Sequence, residues 1–142
     1  MTVTVCNRQR FRRVDSRQVR TIALQTLTKL DSPVHDLNIV IVNDRQIAEL
    51  NRQFHQTDGA TDVLSFDYGG GQGELIVSVE RACAQARQFR STASRELALY
   101  VIHGILHLSG YDDLAPRPRV RMRVAERRLL VATEFRGLVR PV

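Results

Sequence analysis

The spacing of apolar residues predicts alternating strands and helices in the first half of the chain. Residues 2–6 alternate β-branched side chains, as a short strand does, and residues 37–42 form an apolar run suited to the inside of a sheet. Between these strands, residues 15–30 place apolar side chains at the helical period, and the Asp-Ser-Pro sequence at 31–33 ends that pattern. A second helix, 43–54, opens with the Asn-x-x-Gln pattern of a capping box.

The second half of the chain predicts two more strands and then three helices. The strands are residues 61–66 and 75–79, with a glycine-rich turn between them. The helices are residues 79–89, 94–108 and 118–133, and the middle one is nearly all apolar, as a central buried helix is. This order of elements predicts an α/β (α+β) fold, in which a small mixed β-sheet packs with helices.

Length and composition indicate one globular domain, residues 1–142. The chain is 43% hydrophobic and 25% charged, close to the average for globular proteins. Its two cysteines, Cys6 and Cys83, are too few for a disulfide framework or for a zinc site made of cysteine alone. No apolar signal segment opens the chain, and the longest apolar run, Leu97–Ile102, is far shorter than the roughly 18 residues of a membrane span. We therefore expect a cytoplasmic protein that makes no membrane contact.

The net charge of +6 is spread unevenly. Residues 1–20 carry six Arg and one Asp, and residues 114–142 carry eight Arg and two Glu, whereas residues 21–113 carry twelve acidic and seven basic side chains. Twenty of the 21 basic residues are Arg, which forms bidentate contacts with phosphate. Basic ends around an acidic middle suit a protein that binds a polyanion while the middle holds a cation. A genome rich in Arg codons would give the same composition without that function.

The segment HGILHLSGYDD, which starts at His103, contains the candidate metal ligands. His103 and His107 are four residues apart on a helix, so their imidazoles leave the same face and two nitrogens are able to bind one metal ion. Gly110 allows a left-handed turn, after which Asp112 or Asp113 would reach that ion. Two His and one carboxylate leave a coordination position open, as catalytic zinc sites require. The alternative is a pair of packed histidines that bind no metal.

The spacing of the two histidines is also found in zinc peptidases. Those enzymes carry Glu directly after the first His, where it acts as the general base. That position is Gly104 in this chain, so the sequence disfavours peptidase chemistry.

Several segments are similar, in the expected order, to those of one known family. HGILHLSGYDD resembles its signature HGxLHLxGYDH, and LNIVIVNDRQIAELN from Leu37 resembles its strand-then-helix segment. TDVLSF from Thr61 and GELIVS from Gly73 resemble two of its strands, and Met122 and Glu126 fit its closing helix. On these motifs the chain resembles the YbeY-type endoribonucleases, also called rRNA maturation factors.

The resemblance implies a fold built around a central metal-binding helix. It implies one divalent metal ion, zinc above others, held by His103, His107 and Asp113, and no small organic cofactor. The implied activity is hydrolysis of single-stranded RNA, in maturation of the 3′ end of the small-subunit rRNA and in ribosome quality control. The implied partners are rRNA, the small ribosomal subunit and ribosome-assembly proteins.

The sequence departs from the family pattern at two site positions. The third metal ligand, usually His, is Asp113, whose negative charge would weaken the ion as a Lewis acid and make harder divalent ions more competitive. The second position, usually Arg, is His55, to which the resemblance assigns a catalytic role. An imidazole there would bind phosphate well only when protonated, and the alternative is an exposed loop residue.

The sequence also allows second interpretations of several candidate RNA-binding residues and of the overall function. Arg119, Arg123 and Arg127 form one stripe of the last helix, which either binds phosphates or is a solvated face. Ser65 and Thr61 are candidates for RNA contact, and the alternative is that Thr61 and Asp62 serve a turn or cap. The alternative function is a ribosome-assembly factor that binds rRNA and partner proteins, with a structural metal and little catalytic turnover.

Overall fold

A computed structural model describes residues 1–55 and 62–142, except for the side chain of His55. The strands are β1 (Thr2–Asn7), β2 (Arg13–Val14), β3 (Asp36–Val42), β4 (Val63–Gly69), β5 (Gln72–Ser78) and β6 (Val139–Arg140). The helices are α1 (Ser16–Lys29), α2 (Asp44–His55), α3 (Val79–Phe89), α4 (Ala93–Leu108) and α5 (Pro116–Val131). None of these helices is long and apolar enough to span a membrane.

Four strands form one mixed sheet in the order β1-β3-β5-β4. The first three are parallel, with Val3 opposite Leu37 and Ile39 opposite Leu75. The fourth, β4, runs antiparallel to β5 and forms an edge of the sheet. The predicted α/β fold with a small mixed sheet is therefore confirmed. The separate β2–β6 pair was not predicted, because two residues per strand are too few for an alternating pattern.

Side chains alternate between the two faces of the sheet, as pleated strands require. On one face, Leu37 and Ile39 of β3 and Leu75 of β5 pack beneath α1, α3, α4 and α5 in the main core. On the other face, Val40 of β3 packs beneath Ile47 of α2 in a smaller cluster. The helix predicted to be central, α4, contributes nine buried residues and lies in the main core.

Gly104 lets α4 lie close against the sheet. A Cβ atom at this position would be 2.6 Å from Cδ2 of Leu75, a side chain that is itself fully buried in β5. Such a separation is shorter than a van der Waals contact, so a larger residue would force either the buried Leu75 side chain or α4 itself to shift. This close packing fixes the height of the histidines next to Gly104 above the sheet.

The helix starts agree with the capping patterns in the sequence. The amide of Gln46 donates to Oδ1 of Asn43 at 2.9 Å, and the amide of Asn43 donates to Oε1 of Gln46 at 2.8 Å, which completes the predicted capping box. Asp15 caps α1, because its Oδ1 accepts a hydrogen bond from the amide of Gln18 at 3.1 Å. The last helix begins at Pro116, earlier than predicted, since proline is favoured in the first turn of a helix.

Candidate metal centre

The two histidines of α4 point their Nε2 atoms at each other. The Nε2 atoms of His103 and His107 are 3.1 Å apart, and the rings are inclined at 77° with centroids 4.7 Å apart. Both side chains are about one-third exposed, at 29% and 33%. One turn of helix thus presents two nitrogen donors side by side, both partly exposed to solvent.

A helix-ending turn brings the third donor back to this pair. Gly110, with φ of +101°, follows α4, and the amides of Gly110 and Tyr111 donate to the carbonyls of His107 and Leu106. These two bonds are those of a Schellman motif, which reverses the chain direction. The carboxylate Oδ2 of Asp113 then lies 3.6 Å from Nε2 of His107.

The structure distinguishes the two adjacent aspartates. Asp112 turns its Oδ1 to the amide of Leu114, at 2.8 Å, and so closes a local turn. Asp113 instead directs its Oδ2 at both histidines and lies 3.9 Å from Nε2 of His103. Asp113 is therefore the carboxylate that joins the two imidazoles.

The three donor atoms fit one tetrahedral divalent ion. Zinc bonds of about 2.0–2.1 Å place neighbouring tetrahedral ligands about 3.4 Å apart. The separations among the donors of His103, His107 and Asp113 are 3.1, 3.6 and 3.9 Å, on both sides of that value. The group is therefore able to hold a metal, with one tetrahedral position left for another ligand.

Glu126 of α5 orients the first histidine. Its Oε1 accepts a hydrogen bond from Nδ1 of His103, and the Glu126 side chain is only 17% exposed. A proton held on Nδ1 leaves Nε2 of the neutral ring unprotonated, with its lone pair directed at the candidate ion. The sequence offers no signal for this role, because Glu126 lies 23 residues beyond His103, on a different helix.

A cleft of about 320 Å³ opens onto the histidines from the edge of the sheet. It is lined by Val63, Leu64, Ser65, Asp67, His103, His107 and Leu108. Ser65, a candidate for RNA contact, is thus next to the candidate metal centre. Thr61, considered with it, lies outside the described residues. Both histidines are therefore reached from solvent through this cleft.

Asp62, directly before β4, has a perturbed carboxyl group. Burial raises the pKa of Asp62, while electrostatic interactions with Arg81 and, to a lesser extent, with the nearby His103 oppose that rise. Nε of Arg81 lies 3.7 Å from Oδ1 of Asp62. Asp62 therefore adds a partly desolvated carboxyl group to the surroundings of His103, a contribution that the sequence did not predict.

The remaining predicted site residue is His55. It is the last residue of α2, and its side chain lies outside the part of the chain that the structure describes, as do residues 56–61. Its catalytic role therefore stays a prediction. A different basic residue does lie at the metal centre: Nε of Arg119 donates to the backbone carbonyl of Asp113 at 3.1 Å.

Known proteins share both the sequence and the fold. The family model described as Endoribonuclease YbeY matches residues 4–134. Endoribonuclease YbeY of Anaeromyxobacter sp. (strain Fw109-5) is 38% identical over 143 aligned positions, which cover 96% of this chain and 74% of that protein. Endoribonuclease YbeY of Solibacter usitatus (strain Ellin6076) is 40% identical over 114 positions, or 78% of each chain.

A solved structure agrees with these relatives. The solution structure of TM1509 from Thermotoga maritima superposes with a TM-score of 0.66 at 29% identity, and the match covers 91% of this chain and 87% of that one. Since the family model spans nearly the whole chain and two relatives exceed 35% identity, this chain belongs to the Endoribonuclease YbeY family.

Proposed function

We propose that this protein is a metal-dependent endoribonuclease that hydrolyses single-stranded RNA. The observation that carries the proposal is the convergence of His103, His107 and Asp113, with both histidines lining a cleft that is open to solvent. Structural zinc sites use four protein ligands, whereas catalytic sites use three and keep one position free. Membership of a family of endoribonucleases supports RNA as the substrate. We further propose that the RNA is the 3′ end of the small-subunit rRNA, matured on the small ribosomal subunit in the cytoplasm with a role in ribosome quality control.

When bound, a divalent ion would supply Lewis-acid polarisation of the phosphodiester and activation of water. The residues of the chain have separate tasks around it. Glu126 holds the proton on Nδ1 of His103 and keeps the ring in a ligating orientation. Asp113 contributes a negative charge, which would make a bound ion a weaker Lewis acid than a third neutral imidazole would. Zinc is the expected ion, and the carboxylate makes manganese and magnesium stronger competitors than three histidines would.

Two further residues, His55 and Ser65, have proposed substrate roles. We assign His55 to binding a substrate phosphate in its protonated form, which predicts tighter RNA binding at lower pH. Ser65 lines the cleft and offers a hydroxyl within the same concave surface as the histidines. Both assignments concern substrate position and leave the metal-binding group unchanged.

The test is cleavage of a single-stranded rRNA fragment by the wild type, His107→Ala and His35→Ala, purified in parallel. His35 is the matched control, because its Nε2 contacts the carbonyl of Gly70, away from the metal centre. Circular dichroism first establishes that all three proteins fold. We expect the wild type and His35→Ala to cut the RNA and His107→Ala to lose cleavage.

Two outcomes would overturn this proposal. Equal cleavage by all three proteins would assign the activity to a contaminating nuclease. Binding of RNA without cleavage by any of them, in the presence of added zinc or manganese, would favour a ribosome-assembly factor with a structural metal.

A further inference from the structure

The helix that closes the metal centre is strongly basic. Within α5, Pro116–Val131, there are six Arg and a single acidic residue, Glu126. Glu126 is turned inward to His103, so it does not neutralise the outer surface of the helix. Arg123 and Arg127 form no ion pair with any described residue. This surface therefore carries uncompensated positive charge next to the candidate active site.

The six arginines form two sets on opposite flanks of α5. With about 100° between successive residues of a helix, Arg119 lies about 20° from Glu126, Arg123 about 60° and Arg127 about 100°. The other set, Arg117, Arg121 and Arg128, lies at about 140–180° from Glu126. All six side chains are exposed. Only the first set, which we call the α5 arginine row, starts on the flank that faces the metal centre.

The first member of the α5 arginine row, Arg119, forms a hydrogen bond with the backbone of the candidate metal centre. Nε of Arg119 donates to the carbonyl of Asp113, the residue that supplies the third donor atom. Arg123 and Arg127 follow at intervals of four residues, or about 6 Å of helix rise each. This step is comparable to the spacing of successive phosphates in an extended RNA strand. The row therefore leads away from the metal centre in steps of about one nucleotide.

We propose that the α5 arginine row binds successive phosphates of the RNA strand on one side of the bond that is cut. This inference rests on the proposed function for its substrate, and it assigns a binding site outside the metal-ligating residues. Guanidinium groups bind phosphate oxygens in bidentate geometry, and single-stranded RNA supplies one phosphate for each step of the row. The row then holds the strand in register, with the phosphodiester to be cut at the end of the row, beside the metal-binding group.

An anionic membrane is the competing partner for a basic helix. Membrane-surface helices bury an apolar face rich in large side chains in the lipid. The large apolar residues of α5, Met122, Leu129 and Leu130, are instead buried in the protein core. The exposed apolar side chains of this helix include Val120 and Val124, which are small. These observations favour RNA, and vesicle binding is included in the test.

The test compares two double variants with the same change in charge. Arg123→Gln/Arg127→Gln removes two members of the α5 arginine row, and Arg121→Gln/Arg128→Gln removes two arginines from the opposite flank of the same helix. Binding of a fluorescent single-stranded RNA is measured by anisotropy over a range of KCl concentrations, with the RNA checked for integrity on a gel. Thermal unfolding establishes that both variants are as stable as the wild type.

A plot of log affinity against log salt concentration has a negative slope. We expect the row variant to reduce the magnitude of this slope by about 1.4, because each lost phosphate contact on a single strand contributes about 0.7. The control variant should change the slope by less than about 0.3. In cleavage assays the row variant should raise KM and leave kcat unchanged, since the metal-binding group is intact.

Three results would overturn the proposal. Equal loss of slope in both variants would indicate diffuse attraction to a basic helix, and no loss in either would exclude phosphate contact by the row. Binding of wild-type protein to phosphatidylglycerol vesicles, combined with unchanged RNA binding by the row variant, would assign the helix to a membrane. If the wild type fails to cut RNA but the row variant alone loses slope, the nuclease proposal fails and the RNA-binding row stands.

Discussion

Removal of the Glu126 carboxylate is expected to weaken metal binding by a measurable amount. Glu126→Ala leaves Nδ1 of His103 without its acceptor, so the ring is free to rotate and to carry its proton on Nε2, where it blocks the ion. Loss of such an outer partner typically costs 10–100-fold in metal affinity, or about 1.4–2.7 kcal/mol. Because Glu126 is only 17% exposed, water replaces its carboxylate poorly, and we expect a value near the upper end.

A second substitution separates orientation from charge. Glu126→Gln keeps an oxygen that accepts from Nδ1 of His103 but removes the negative charge, so we expect about a tenfold loss, near the lower end of the range. Glu134→Gln is the control, since it removes a carboxylate that accepts from the amide of Arg136, outside the metal centre. Zinc affinity is measured by competition with a chromophoric chelator, independently of activity. If Glu126→Ala bound zinc within twofold of the wild type, Glu126 would have no role in orienting the ligand.

Three further predictions concern packing, thiol reactivity and metal choice. Gly104→Ala should lower the free energy of unfolding by about 1–2 kcal/mol, because overlap with Leu75 outweighs the gain of about 1 kcal/mol in helix propensity; urea unfolding that showed the protein stabilised would contradict the close packing. Burial raises the pKa of the Cys83 thiol, so at pH 8 native Cys83 should be alkylated more slowly than the partly exposed Cys6, as followed by mass spectrometry, and equal rates would refute this. Asp113→His should increase the preference for zinc over manganese in competition binding, and an unchanged preference would argue against Asp113 as a ligand.

The sequence predicted the parts of the fold that follow a repeating pattern. The sheet strands and the five helices have long alternating or helical runs of apolar residues, and their order was sufficient for the fold class. In contrast, β6, residues Val139–Arg140, is too short to show a period. It pairs with β2 at the other end of the chain, a contact that only the tertiary structure provides.

The candidate site was predictable where its donors are close in sequence. His103 and His107 share a helix face by spacing alone, and the glycine after them indicated a turn toward an aspartate. Spacing did not decide between Asp112 and Asp113, because the outcome depends on side-chain orientation within the turn. Glu126 reaches His103 through the packing of α5 against α4, which no local pattern encodes.

The turn after α4 also has a consequence for how the enzyme's chemistry evolves. Backbone hydrogen bonds to the carbonyls of Leu106 and His107 position this segment, and no side chain of Asp113 is needed to form them. The residue at position 113 is therefore free to change between carboxylate and imidazole at little cost in folding. Such an exchange would alter the charge of the candidate metal centre by one unit and would shift its preference among divalent ions. A single substitution at position 113 would thus be a short evolutionary route to a different metal preference.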